Sequence, residues 1–141
     1  MRNTCMGPLT ATEGQRIALV RSQYEAYSRC DFDAVMQRAH PDMVVVRAGG
    51  QGEIRGPERI RAWMEPDAFA SQVLEPLEFQ IAAEKVLVRV RGTLRGAGSG
   101  IRLEVPSWAV WTFDDQDRIM RIETYLEHEE DEARRSFGGP T

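Results

Sequence analysis

Apolar residues near the start of the chain recur at the spacing of a helix. Thr10 and Glu13 match a capping box, in which a hydroxyl residue and a glutamate three positions later satisfy free backbone N–H groups. The apolar positions that follow are three or four residues apart: Ile17, Val20, Tyr24 and Tyr27. This spacing predicts an amphipathic first helix with those residues on its buried face. Its wetter sides are predicted to carry Arg16, Arg21, Gln23 and Glu25.

Two more helices and one strand are predicted in the next forty residues. Asp31 can cap a short second helix, which Pro41 ends because proline disfavours helical geometry at the preceding residue. The β-branched run 43–46 predicts a strand, and the glycines within 49–52 predict a loop. Pro57 stands where prolines are tolerated in the first turn of a helix, so a third helix is expected to begin there.

After residue 76 the apolar period changes from 3.6 to two. Apolar and polar residues alternate through 77–81, 86–91, 101–113 and 120–126, which predicts four strands with one face on a core. Segments 92–100 and 114–117 have turn composition. Helices separated from an antiparallel meander predict the α+β class. We expect one domain over residues 1–141, with a core from about 12 to 137 and flexible termini.

Composition and charge exclude several classes of partner. The net charge is −4, which argues against a basic surface that follows nucleic-acid phosphates. No apolar run approaches the roughly 18 residues of a membrane span, so no membrane partner is expected and the cytoplasm is the predicted location. Cys5 and Cys30 have no paired spacing and are expected to be reduced thiols. The acidic run 127–132 predicts the solvated first turn of a C-terminal helix, and neither a metal nor a cofactor is predicted.

Several short strings, in their order, carry a family resemblance. They are Tyr24–Tyr27 before Cys30–Ala34, His40–Asp42 before the first strand, Arg55–Glu58 opening the third helix, Val110–Phe113 before an Asp-rich turn, and Glu123–Leu126. Together they make the chain resemble the SnoaL-like branch of the nuclear transport factor 2-like superfamily. The resemblance implies a cone-shaped roll, in which a strongly curved, mostly antiparallel sheet wraps around three helices and a short C-terminal helix follows. Relatives include ketosteroid isomerases, polyketide cyclases, dehydratases and epoxide hydrolases.

The catalytic residues of those relatives are mostly missing at the matching positions. The isomerase helix tyrosine falls on Gln23, the mobile base on Arg47 and the strand aspartate on Ala109. The aspartate of the polyketide cyclases falls on Thr124, and their histidine also falls on Ala109. A hydroxyl group is a poor proton shuttle without an activating base, so fold resemblance alone does not assign a reaction.

The residues on the core-facing sides of the predicted strands and helices nevertheless predict an apolar, ligand-sized pocket. Its expected lining residues are Tyr27, Val45, Arg47, Trp63, Ala109, Trp111 and Thr124. The candidate catalytic residues are His40, Arg47 and Thr124. Arg47 is expected either to anchor an acidic or carbonyl-bearing ligand, or to extend to the Gly49–Gly50 loop or pair with a structural acid. His40 is either a titrating group or a helix-end residue that bonds local carbonyls.

Trp108 and Val110 fall among the outward-facing residues of the long predicted strand 101–113, where polar residues are expected. This predicts a homodimer through the convex face of the sheet.

Three functions follow as hypotheses. The first is a cofactor-independent enzyme that carries out proton transfer or hydration on a small, largely apolar substrate. The second is a protein that binds such a molecule without chemistry. The third is a dimeric assembly domain whose cavity is vestigial. A cavity filled by the protein's own side chains would favour the third.

Overall fold

The computed structural model describes residues 11–65, 69–96 and 100–138. The helices are α1 (Ala11–Ser28), α2 (Phe32–Met36), α3 (Pro57–Met64) and α4 (Glu130–Phe137). The strands are β1 (Ala39–Arg47), β2 (Gly52–Arg55), β3 (Phe69–Ala82), β4 (Lys85–Gly96), β5 (Arg102–Phe113) and β6 (Ile119–Leu126). Short 3₁₀ turns lie at Ala48–Gly50 and Glu127–Glu129. The predicted α+β class and cone-shaped fold are confirmed.

One six-stranded sheet in the order β2-β1-β6-β5-β4-β3 forms the wall of the cone. Only the β1–β6 pair is parallel among these neighbours, which agrees with a mostly antiparallel sheet. Strand β2 was not predicted, and β3 begins well before the predicted residue 77. A register shift between Pro76 and Glu78 breaks the alternation there and leaves Leu77 exposed.

Helix α1 packs on the concave side of the sheet and forms the main core with it. Val20 and Tyr24 are buried there, together with Val86 and Val88 of β4. The end of the helix is fixed to β3 by Ser28, whose Oγ accepts a hydrogen bond from the Leu74 N–H at 3.0 Å. The prediction for Gln23 was wrong: this side chain is buried, with 5% of its surface exposed, rather than on a wet side of α1.

Helix α4 covers the opposite, convex face. Trp108 and Val110 are buried against Ala133 and Phe137 of this helix. The guanidinium of Arg134 lies 5.1 Å from the centre of the Trp108 ring. The predicted exposed contact surface at Trp108 and Val110 was therefore wrong, because the chain covers it with its own last helix. The homodimer stays a prediction without that surface.

The acidic run near the C-terminus begins α4, as predicted. Glu130, Asp131 and Glu132 lie in its first turn, where carboxylates complement the helix dipole. Gly138 ends the helix with a φ of 90°, a left-handed conformation that suits glycine. No helix within the described ranges is long and apolar enough to cross a membrane. The turn predicted over 92–100 is shorter than expected, because β4 continues to Gly96. Residues 97–99, Cys5 and the predicted flexible termini lie outside the described residues.

Candidate functional site

A cavity of about 140 Å³ lies between the first three helices and the concave face of the sheet. Its lining is dominated by apolar and aromatic residues: Tyr24, Tyr27, Val35, Met43, Val45, Ile60, Trp63, Met64, Leu74, Val90, Ala109, Trp111 and Ile122. The cone is therefore not filled by its own side chains. A cavity of roughly 150 Å³ with an apolar lining is large enough to hold a benzene ring.

Six residues of the predicted pocket line this cavity: Tyr27, Val45, Trp63, Ala109, Trp111 and Thr124. Each of them lies on the core-facing side of its strand or helix. Trp63 is also 47% exposed, which places it at the rim of the cavity. That these residues bind a ligand stays a prediction.

Arg47 and His40 are not among the lining residues, which corrects their predicted place at the pocket. The Arg47 guanidinium turns back over the glycine loop and donates a hydrogen bond to the Gln51 carbonyl. His40 accepts a hydrogen bond at Nδ1 from the Asp42 N–H at 2.9 Å, so it organises local backbone. Neither side chain supplies charge or a base to the cavity.

Gln23 is the polar residue of the site that the sequence interpretation missed. It lines the cavity, and its carbonyl oxygen Oε1 is buried without a hydrogen-bond partner in the part of the chain that the structure describes. Helical spacing explains its position, since it lies three residues after Val20 and four before Tyr27. A signal for it existed in the sequence, because the family resemblance aligns the isomerase helix tyrosine with this residue.

Two tyrosines on α1 also line the cavity. Tyr24 accepts a hydrogen bond from Trp111 Nε1 at 3.0 Å, and its own O–H has no acceptor among the described residues. Burial raises the pKa of Tyr24 well above its usual value and outweighs the opposite effect of the Trp111 hydrogen bond. Tyr27 donates to Gln72 Oε1 at 2.7 Å, and burial, followed by the nearby Cys30, raises its pKa too. Both therefore act as neutral hydroxyl groups near neutral pH.

Two hydroxyl residues lie on the sheet side of the cavity. Thr124 donates its hydroxyl proton to the Val46 carbonyl at 2.8 Å, so it is engaged in holding β6 to β1. Ser107 also lines the cavity, and no hydrogen bond of its hydroxyl is found within the described residues. Gln23 and Ser107 thus lack a side-chain hydrogen-bond partner in the described structure, and Tyr24 keeps a free donor.

The chemistry available in this lining is limited. No carboxylate, imidazole or amine lines the cavity among the residues with a described position. In the same part of the chain, no group of three His, Cys, Asp or Glu residues could hold a metal ion. The arrangement can hydrogen-bond a neutral polar group within an apolar enclosure, but it presents no general base.

Comparisons with known proteins identify the fold. A structure of an NTF2-like protein of unknown function from Burkholderia pseudomallei K96243 is 23% identical, with a TM-score of 0.71; the match covers 86% of this chain and 96% of that one. SalBIII, an epoxide hydrolase/cyclase-like enzyme in pyran ring formation in the polyether salinomycin, is 15% identical, with a TM-score of 0.72 and coverages of 81% and 92%. A LEH-like epoxide hydrolase from M. tuberculosis is 19% identical, with a TM-score of 0.70 and coverages of 88% and 92%. None of the curated proteins compared with the chain matches it.

The family model of the SnoaL-like domain matches residues 20–122, which include most of the cavity lining from Gln23 to Ile122. This match spans well over half of the sequence and agrees with the cone fold and the solved structures. The chain therefore belongs to the SnoaL-like domain family.

Proposed function

We propose that this chain binds a small, largely apolar molecule that carries one neutral polar group, and that Gln23 holds that group. The observation that carries the proposal is the Gln23 side chain, which lines a largely apolar cavity and whose buried amide oxygen has no hydrogen-bond partner among the described residues. A buried polar group without a partner costs about 1–3 kcal/mol of stability. A ligand that supplies the missing hydrogen bond offsets that cost, which gives the complex an advantage over the empty protein.

The polar group of the ligand follows from the chemistry of the amide. A glutamine side chain accepts through its carbonyl oxygen and donates through its NH₂, so it suits a hydroxyl, an amide or a carbonyl. The Ser107 hydroxyl supplies a further hydrogen bond from the sheet side. An anionic head is not supported, because Arg47 does not line the cavity and no other cation does so among the described residues.

Binding without turnover is the function that this lining supports best. The proton-transfer or hydration reaction expected from the resemblance needs a base, and the described lining contains none. We therefore place the enzyme hypothesis second. The Tyr24 O–H favours it to a limited extent, since a hydroxyl fixed by Trp111 could polarise a substrate oxygen. The homodimer and the cytoplasmic location remain predictions that accompany the proposal.

Titration calorimetry with phenol and toluene tests the proposal. The two probes share a ring of the size of the cavity, and only phenol carries a hydroxyl. We expect phenol to bind more tightly than toluene, and Gln23→Met to weaken phenol about tenfold while leaving toluene within about twofold. Gln116→Met, in an exposed turn, is the matched control and should change neither affinity. Equal loss of both probes in Gln23→Met, or no loss of phenol, would overturn the role of the amide.

The catalytic alternative has its own measurement. Epoxide and β,γ-unsaturated ketone probes incubated with the protein are followed by mass spectrometry and absorbance. Turnover above that of Tyr24→Phe would establish catalysis, and its absence in both proteins leaves binding as the function.

A further inference from the structure

The concave face of the sheet continues beyond the cavity as an apolar surface. Val90 pairs with Ser107 at the cavity edge, and the next rows on the same face pair Gly92 with Val105 and Leu94 with Leu103. Side chains two residues apart on a strand share a face, so these residues extend the cavity wall outward. We call Gly92, Leu94, Leu103 and Val105 the outer trough. From Ser107 to Leu103 it runs about 13 Å.

Among the described residues, α1 ends before the outer trough and does not cover it. The helix stops at Ser28, where its side chain bonds to the backbone of Leu74. Strands β4 and β5 extend past this point, which leaves Leu103 51% and Val105 37% exposed. Gly92 is buried, and the Leu74 side chain fills the space above it, since a Cβ there would meet Leu74 Cδ2 at 3.2 Å.

The two faces of the same strand segments differ in chemistry. The outward face carries charged residues at the corresponding positions, including Glu75, which forms an ion pair with Arg91 at 2.6 Å, and Arg102 beside Glu104. That face is suited to water. The concave face carries Leu94, Leu103 and Val105 around Gly92, with Gln72 of β3 beside Leu94. This mostly apolar composition is typical of a surface that is covered in use.

We propose that the ligand is elongated, with its polar, ring-sized head in the cavity and an apolar tail along the outer trough. This inference rests on the proposed function, because the cavity must hold the head. The volume of about 140 Å³ encloses little more than one ring, whereas ligand pockets usually measure roughly 300–1,000 Å³. A larger ligand has to continue outside the enclosed part, and the continuous apolar surface is the outer trough. The ligand class is therefore an alkyl-substituted ring or a comparable amphiphile with a neutral head.

A series of para-alkylphenols, from methyl to octyl, tests the tail. A methylene on an open trough loses about half of its contact with water, so each one that lies there should lower Kd about twofold. Leu103→Ser and Val105→Ser should remove most of this gain for octylphenol and leave phenol unchanged. The matched control is Val73→Ser, because Val73 is 45% exposed on the charged face and should affect no member of the series.

The outcomes separate the tail from the head. A Kd for octylphenol equal to that for methylphenol, or an equal effect of Val73→Ser, overturns the tail while the head can still bind phenol. A gain with length that Leu103→Ser abolishes supports the tail even if Gln23→Met has no effect. A series in which no member binds overturns both proposals. Size-exclusion chromatography of the unliganded protein adds one more result: a dimer that Leu103→Ser dissociates would show that a second copy covers the trough, against the proposal.

Discussion

Trp111 on β5 donates its indole N–H to the hydroxyl of Tyr24 on α1, at 3.0 Å and within the buried core. Their rings also meet edge to face, with centroids 5.4 Å apart. The pair joins the first helix to a central strand and forms one wall of the cavity. It satisfies an indole donor that would otherwise be buried without a partner, and this sets up the first prediction.

Tyr24→Phe should lower the free energy of unfolding by about 1–3 kcal/mol, because the Trp111 N–H loses its acceptor in a buried position. Urea denaturation measures the change. Tyr27→Phe is the comparison, since Gln72 is only partly buried and can bond to water instead. If the two substitutions lower the free energy of unfolding equally, the Tyr24–Trp111 hydrogen bond contributes no more to stability than the Tyr27–Gln72 hydrogen bond.

Tyr24 should also make the protein sensitive to alkaline pH. Its folded pKa is raised by burial above the ordinary value of 10.0, so the unfolded chain loses the proton first as pH rises. Stability is therefore unaffected by this group below about pH 10 and falls above it. Unfolding free energies measured from pH 8 to pH 11 should fall less steeply in Tyr24→Phe than in the wild type. Parallel curves would contradict the prediction.

Glu123 should give the opposite dependence at acid pH. Burial tends to raise its pKa, but hydrogen bonds from Ser136, Arg121 and Tyr125 outweigh burial and lower it below 4.5. A lowered folded pKa means stability that is present above about pH 4.5 and is lost as pH falls through the folded value. Glu123→Gln should cost about 1 kcal/mol at pH 7, and this difference should shrink below pH 4.5.

The exposed Glu78→Gln is the control for that experiment and should change stability little at either pH. A cost of Glu123→Gln that does not vary between pH 7 and pH 3 would show that the carboxylate charge contributes nothing to this cluster.

Phe137→Ala should destabilise the protein by about 3–5 kcal/mol, because Phe137 closes the convex cluster over Trp108. The fluorescence of Trp108 is expected to shift to longer wavelength in this variant at temperatures below its Tm. The Tm of the wild type should not depend on protein concentration through this surface, because one chain buries it. A wild-type Tm that rises with protein concentration, together with Trp108 fluorescence that changes on dilution, would show instead that this surface forms an intermolecular contact.

Much of the fold was predictable because period-two alternation in β4, β5 and β6 depends only on which face meets the core. Strand β2 was not predicted, because Gly52–Arg55 has only four residues, two of them charged, and shows no alternating pattern of its own. Its position is fixed by pairing with β1. The alternation also correctly placed Trp108 and Ala109 on opposite faces of β5. It could not show that α4, whose buried face is only Ala133 and Phe137, would cover the outward set.

The site was harder to predict for a similar reason. Gln23 lies at a helical spacing that points inward, but an amide suggests a wet surface, and only tertiary packing resolves the conflict. Arg47 shares a face with Val45, yet β1 ends at Arg47 and its long side chain follows the chain into the next turn. The alternation of apolar and polar residues does not show where a long side chain extends beyond the end of its strand.

The most direct test of the proposed function is a crystal structure of the protein with phenol. The prediction is a phenol ring within the cavity, with its oxygen at hydrogen-bond distance, about 2.7–3.2 Å, from the Gln23 amide. The para carbon should point toward Val105 and the outer trough. A cavity without phenol at saturating concentration, or a ring whose oxygen bonds elsewhere while Gln23 stays unpartnered, would contradict the claim that Gln23 recognises the ligand.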